Sequence, residues 1–549
     1  MAERWNYQPR LELFPYYAAL LFLAVSCSIT VTYIFTSWRY YQALKHFIDS
    51  PPTRKQQLVS PQIPFFIPWL GNTISFLSTQ PGRHWDELFS WHPRRTGVCT
   101  LVIGGRKTHI LFSHVAVEAL FKAKTPSRDV FEAELFGNVF KMPKEQIHNA
   151  GLTKHMEVEL NKQYLTKNER VNELTAHFTQ VLEAVLDKDA GQIVDLEEIG
   201  LYEWLRDRMF TASTTALLGE RLLQRYPEFC QDFFGFDNDF MSFFFKLPSF
   251  MLRDAIKRRT RIFNNLENWA AEMRKLSGGK AIDPEGPAWE PLFGSRLNRA
   301  RQLGYVSRGL NTRSSAALDL GITFGLSSNV IPATNWMIMH ILDPDGDTTV
   351  LPRVLKEVKE AEKPDGTLDI STLVSQPLLQ SIWTECLRLY TDTLITRHVK
   401  DDLSLPLDED GKHVVTFYPG DNVFAPSWLS HHDGAVWGGR ASHDQFYADR
   451  FGTKDPKTGR VGFSMDGTNG KFFPFGGGKT ICPGRVFAKQ EALGSVAMIL
   501  LRFDITVRGF VDAEKKPTDI FPKPAKAFAG TAVLAPGGDM TVKVRRRRR

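Results

Sequence analysis

Among five cysteines, Cys482 stands out by what surrounds it. Residues 472–492 read Phe-Phe-Pro-Phe-Gly-Gly-Gly-Lys-Thr-Ile-Cys-Pro-Gly-Arg-Val-Phe-Ala-Lys-Gln-Glu-Ala. Gly476, Gly477 and Gly478 let the backbone turn tightly and approach a flat ligand, and Pro483 suits the first turn of a following helix. Backbone N–H groups and the positive end of a helix dipole would then converge on the sulfur, lower its pKa and favour the thiolate, the form that binds metal. The plainer reading is a buried structural cysteine beside a glycine turn. Cys27, Cys99, Cys230 and Cys386 are scattered, and no pair forms a CxxC signature. That usage suits a reducing compartment.

Two further sets of residues could take part. Glu385 and Arg388 are spaced i,i+3, which puts both charges on one helix face, although such pairs are common and usually exposed. The helical stretch from Leu318 to Leu342 carries Ser328, Asn329 and Pro332 at its centre, and the proline removes one backbone N–H and should kink it.

The elements that must position these groups follow from patterning. Leu13 to Trp38 is free of charge, and 26 residues at about 1.5 Å each exceed a hydrocarbon core of about 30 Å. Its length argues for a retained anchor over a cleaved signal. Arg39, Lys45, Arg54 and Lys55 follow it, against Arg4 and Arg10 before, which places the bulk of the chain on the cytosolic side. Pro51, Pro52, Pro61, Pro64 and Pro68 then make a stiff, non-helical connector. Thr100–Ile103 and Thr108–Phe112 flank Gly104-Gly105 as a hairpin, and His114–Ala123 turns helical. Residues 154–400 are mostly helical in period. Short strands are expected at Val414–Tyr418, Ala532–Ala535 and Met540–Val544. The fold class is mainly α with a minor β region: anchor 1–50, hinge 51–72, one domain 73–544 and a solvated basic tail 545–549.

Composition bounds the partners. The 549 residues are 43% hydrophobic and 23% charged, which suits a large core. Of a net charge of +7, five come from Arg545–Arg549, so the body is nearly neutral and a broad nucleic-acid surface is excluded.

Phe475-x-x-Gly478-x-x-x-Cys482-x-Gly484 resembles the haem-thiolate loop of the cytochrome P-450 family. Glu385-x-x-Arg388, lying 97 positions before Cys482, resembles the family's E-x-x-R pair. His432-Asp433-Gly-Ala-Val-Trp437 and Phe446-Tyr-Ala-Asp449-Arg450-Phe451 resemble two stretches between them, and Pro419-Gly420-Asp421 a family turn. The resemblance implies haem b ligated by Cys482, a loop of Phe475, Gly478, Lys479 and Gly484 against it, Arg397 at a propionate, and a charge network of Glu385, Arg388 and Arg450. It implies a cytosolic domain at the endoplasmic reticulum membrane, fed by NADPH through a separate reductase, with cytochrome b5 as a second donor.

The distal side departs from the family's acid–threonine pair, with Ser328 and Asn329 in its place. Asn-x-x-Pro followed by Trp336 resembles the branch holding cholesterol 7α-hydroxylase, oxysterol 7α-hydroxylase and prostacyclin synthase. Two chemistries stay open on that basis. One is oxidation of a lipophilic sterol, terpenoid or other secondary metabolite by dioxygen. The other is a reductase-independent isomerase or dehydratase acting on a peroxide. A haem-binding sensor or carrier is a third, weaker reading. Residues 231–250 hold eight phenylalanines, followed by Arg253, Lys257, Arg258 and Arg259, which suits a portal for lipophiles at a membrane. Arg128–Met142 and Ala527–Ala532 complete the pocket by family position.

Overall fold

The computed structural model describes residues 14–49, 56–92, 96–150, 156–192, 198–278 and 280–547. Arg4, Arg10, Leu13, Pro51, Pro52, Arg54, Lys55, Arg548 and Arg549 lie outside them. Two compact units are formed, one from residues 1–78, 83–126 and 399–425, the other from 79–82, 127–398 and 426–549.

The first unit holds the anchor helix, Phe14–Asp49. Its side chains from Tyr16 to Phe35 are largely exposed and apolar, whereas Thr36, Tyr40 and Phe47, on one face, are buried. The exposed part, 15–35, is about 32 Å long at about 1.5 Å per residue, enough to cross a hydrocarbon core. Beyond it the helix is tied down by side chains: Phe65 N–H donates to Thr36 Oγ1 at 3.3 Å, and Tyr40 Oη lies 3.0 Å from His92 Nδ1. Gln56–Leu58 pairs in parallel with His413–Phe417, which pairs antiparallel with Leu403–Pro406. The expected hairpin runs Val98–Ile103 and Arg106–Leu111, and both turn glycines take positive φ, 56° and 76°. That conformation is the one a two-residue hairpin turn needs.

The second unit is predominantly helical, and its core packs the helices Leu201–Leu218, Val330–Leu342, Pro377–Tyr390 and Arg485–Arg502. Arg485–Arg502 is buried along most of its length because apolar residues fill it nearly all round. Thr391–His398 pairs antiparallel with Thr531–Val533.

Three expectations are corrected. The last strand runs Asp539–Arg546, so Arg545 and Arg546 stand opposite Asp504 and Phe503 in a ladder, with exposed side chains, and the strand continues past Val544. Main-chain bonds extend the ladder whatever the side chains carry. Only half of the basic run after the phenylalanines is surface: Arg253 and Lys257 are exposed, whereas Arg259 is buried over Phe243 and donates to Val139 O at 2.9 Å, and Arg258 pairs with Asp239. Among the phenylalanines themselves, Phe233, Phe234, Phe236 and Phe243 are core, and Phe250 is exposed.

Candidate active site

All of the candidate residues fall in the second unit. The helix Arg485–Arg502 begins directly after the cysteine loop, with Gly484 as its N-cap. Within the loop, Cys482 N–H donates to Phe475 O at 2.9 Å and Gly476 N–H to Phe473 O at 3.0 Å. Gly476 and Gly478 take φ of 73° and 65°, and a Cβ on Gly476 would press on Ile395 Cδ1 at 3.1 Å. These positions require glycine. Cys482 and Phe475 are half-buried, while Lys479 is exposed on the turn Gly478–Thr480.

The thiol's pKa departs from the sequence expectation. Burial pushes Cys482 up; the backbone N–H groups of Gly484 and Arg485 and the charges of Arg485 and Arg128 oppose it without prevailing. Desolvation outweighs the helix end, so a thiolate here calls for a directly bound cation to compensate it.

Arg397 supplies a second feature of the same loop. Its guanidinium is buried and donates to Thr480 Oγ1 at 2.8 Å, Gly477 O at 3.3 Å and Thr396 O at 2.9 Å. Mutual backbone bonds between Ser127 and His398 bring Arg128 alongside. Burial first, and then the Arg128 charge, pull Arg397 down to about 10, against Glu132. Among the described residues no carboxylate forms an ion pair with Arg397. Two arginines, one of them buried, beside a cysteine on a glycine loop fit a flat, anionic, metal-bearing group such as haem.

Behind the loop, Glu385 accepts from Arg388 Nε and Nη2 at 2.8 and 2.9 Å, from Arg450 Nε at 2.8 Å and from Tyr447 N–H at 3.1 Å. All three charged side chains are buried. Arg388 Nη1 continues to His431 O and His443 O, and Arg450 to the carbonyls of Ser442 and Gln445. His431 carries no mark in the sequence, where the adjacent His432 is the one that fits a motif. Its Nε2 accepts Phe473 N–H at 3.0 Å, and burial holds its pKa well below the usual range, so the ring is neutral with its proton on Nδ1. Nothing local distinguishes it, because its partners lie about 40 positions away on either side.

The expected single kinked helix is two, Thr312–Ser327 and Val330–Leu342. The break falls at Ser328 and Asn329, where the Pro332 ring crowds the carbonyl four residues back. Asn329 Oδ1 accepts Val533 N–H at 3.1 Å, its Nδ2 donates to Ser328 Oγ at 3.1 Å, and Ser328 Oγ donates to Phe324 O at 2.8 Å. Trp336 Nε1 donates to Leu534 O at 2.7 Å, so both helix residues are fastened to one segment. Gly325 is exposed, and a Cβ there would meet nothing within 4 Å. Phe324 beside it stacks on Phe240 at 4.2 Å, and Phe136 and Phe140 face Gly321. The wall is aromatic and apolar.

A family model for cytochrome P-450 matches residues 308–529. The chain is 27% identical to the cytochrome P-450 monooxygenase calL of Penicillium decumbens, across 87% of this chain and 91% of that one. Identity is also 27% to the cytochrome P-450 monooxygenase efuG of Hormonema carpetanum, across 96% of each. To cytochrome P-450 7A1 of Oryctolagus cuniculus it is 26%, across 63% of this chain and 66% of that one.

Proposed function

The chain belongs to the cytochrome P-450 family of monooxygenases, and from that premise we propose a membrane-anchored haem-thiolate enzyme that oxidises a lipophilic sterol, terpenoid or other secondary metabolite. Dioxygen and NADPH-derived electrons would be its co-reactants. Cys482 would be the axial ligand, Phe475, Gly478 and Gly484 would shape the loop against haem b, and Arg397 with Arg128 would pair with its carboxylates. Haem held by a thiolate supplies the activation of dioxygen. Lys479, which the resemblance sets against haem b, is exposed on the turn Gly478–Thr480; the electron donor, NADPH–cytochrome P-450 reductase or cytochrome b5, would meet the protein on the cysteine side. The anchor would be residues 1–50 at the endoplasmic reticulum membrane, the hinge 51–72 and the catalytic domain 73–544.

The observation that carries this reading is the buried Arg397 guanidinium bonded into the loop of Cys482 without a carboxylate of its own among the described residues. Glu385, Arg388 and Arg450 hold that loop's support in place. Asn329 keeps one amide N–H beyond its bond to Ser328, available to an acceptor atom of a ligand at the break, and Ser328 Oγ stands behind it. The rings of Phe324 and Phe240, with Phe136 and Phe140 facing Gly321, would favour a lipophile in the open space at Gly325.

Reduced protein with carbon monoxide should give the red-shifted absorption band of a thiolate-ligated haem, and Cys482→Ala should lose it. Retention of that band by the variant would refute the ligand assignment. Product formation with NADPH, reductase and dioxygen is then compared with a lipid hydroperoxide alone under argon. Turnover confined to the second arm would replace oxygen insertion by peroxide rearrangement.

A further inference from the structure

A cavity of about 380 Å³ lies in the first unit, and nothing in the proposed chemistry uses it. That size falls within the roughly 300–1,000 Å³ of small-molecule sites. Tyr33 of the anchor helix, Phe66, Ile74, Leu88 and Leu101 give it an apolar wall. Tyr33 and Phe66 stack at 4.3 Å with planes 6° apart. Phe65 bonds to Thr36, and Asn72 bridges Pro64 O and Val102 N–H at 3.1 and 3.0 Å. Gly71 packs so tightly that a Cβ would sit 2.3 Å from Val102 O. The wall is therefore fixed by the fold. Its depth is fixed as well: Tyr33 stands three residues before the helix becomes buried and six before Arg39, at the end of the exposed apolar span.

One polar group lining the cavity lacks a partner among the described residues. His84 is 4% exposed, and its Nε2 has no hydrogen bond. Ser75 Oγ stands 3.0 Å from its Nδ1 and 3.4 Å from Glu87 Oε2, and Arg83 Nε donates to Glu87 Oε1 at 2.7 Å. Burial lowers the His84 pKa to about 4, so the ring is neutral near pH 7. If Ser75 donates to Nδ1, then Nε2 carries the proton; if Ser75 donates to Glu87 and Nδ1–H donates to Ser75, then Nε2 is a bare acceptor. A hydroxyl matches either state because it donates and accepts. A carboxylate matches only one and would sit near Glu87, whose Arg83 is already engaged. A quaternary ammonium matches neither.

We propose that this cavity binds a neutral, monohydroxylated membrane lipid, its hydroxyl on His84 Nε2 and its apolar body between Tyr33, Phe66, Leu88 and Leu101. The inference rests on the membrane-spanning reading of residues 15–35, since the bilayer is what presents such a molecule at the depth of Tyr33.

The test uses the full chain in phosphatidylcholine nanodiscs and a long-chain alcohol bearing a diazirine, with its carboxylate counterpart as comparison. Photolysis and peptide mass spectrometry should show saturable labelling of the peptides holding Tyr33 and Phe66–Ile74, competed by unlabelled hexadecanol. The carboxylate should label these less. His84→Phe should lower labelling about fivefold, the value of one modest hydrogen bond. Ile74→Trp, at a position 64% exposed, should block the cavity without disturbing the core, which keeps the test open if His84→Phe folds poorly. Labelling that fails to saturate, spreads evenly along residues 15–35, is unchanged in Ile74→Trp or is equal for the carboxylate would overturn the proposal. Flotation with phosphatidylcholine vesicles reports anchoring separately. Protein that does not float removes both readings, whereas protein that floats without saturable labelling removes this one alone.

Discussion

Arg388 donates through Nη1 to the main-chain oxygen of His431 at 2.8 Å, and that bond joins a buried charge network to the cysteine loop. From His431 the connection passes to Phe473 N–H and, through Phe473 O, to Gly476. The loop's shape therefore depends on a carboxylate that never touches it.

Glu385→Gln should destabilise the fold by about 3–5 kcal/mol, because two buried guanidiniums lose the charge they share. Thermal unfolding of wild type and variant measures it. His431→Phe, which keeps the ring's bulk and removes the acceptor of Phe473 N–H, should cost less in stability but shift the carbon monoxide band toward the form without a thiolate ligand. A variant band identical to wild type would show that the loop holds its own shape.

Arg397→Leu should release haem roughly 10- to 100-fold faster, the loss expected for one or two charge-assisted hydrogen bonds. Transfer of haem to excess apomyoglobin gives the rate. Arg397→Lys should fall between, since it keeps the charge without the planar fork.

Asn329→Leu removes the acceptor of Val533 N–H and should lower stability by about 1–3 kcal/mol, whereas Asn329→Asp keeps that acceptor and should lose less. If the amide also holds a proton for the reaction, Asn329→Asp will lower product formed per dioxygen consumed. Unchanged coupling would restrict Asn329 to fastening the helix break.

Glu491 is fully buried on the helix after Cys482, accepts from Ser213 Oγ at one oxygen, and has no partner among the described residues at the other. Burial raises its pKa to about 8, against the Ser213 bond. The folded chain then binds a proton that the unfolded chain releases near pH 4.5, so the acid costs nothing below that pH and progressively destabilises up to about pH 8. Glu491→Gln should match wild type in melting temperature near pH 5 and exceed it by several degrees at pH 8.5. A difference that does not grow with pH would refute a protonated core acid.

Local spacing makes several features legible in the sequence itself. Gly104-Gly105 between two alternating runs specifies a hairpin because a two-residue turn needs two positive φ values, and both appear. Glu385 and Arg388 share a helix face by their i,i+3 spacing, and their bidentate bond follows. Gly476 and Gly478 mark a backbone that other residues could not follow.

What escapes sequence reading depends on partners distant in the chain. His431 joins the network only because Arg388 and Phe473 converge on it. Asn329 marks the helix break as much through Val533, 204 positions on, as through Pro332. Arg258 and Arg259 read as a basic surface by sequence, and only the fold sets Asp239, Phe243 and Val139 against them. The sign of the Cys482 shift is the sharpest case. The helix end and its N–H groups are local and visible in the sequence, but burial is a property of everything packed around the sulfur, and burial is the larger effect. Sequence alone singled out the candidate residues, since glycine, proline and residue spacing act within a few positions. Tertiary structure decided their protonation, their partners and the cavity at the anchor, because desolvation and hydrogen bonding depend on which distant segments the fold presses together.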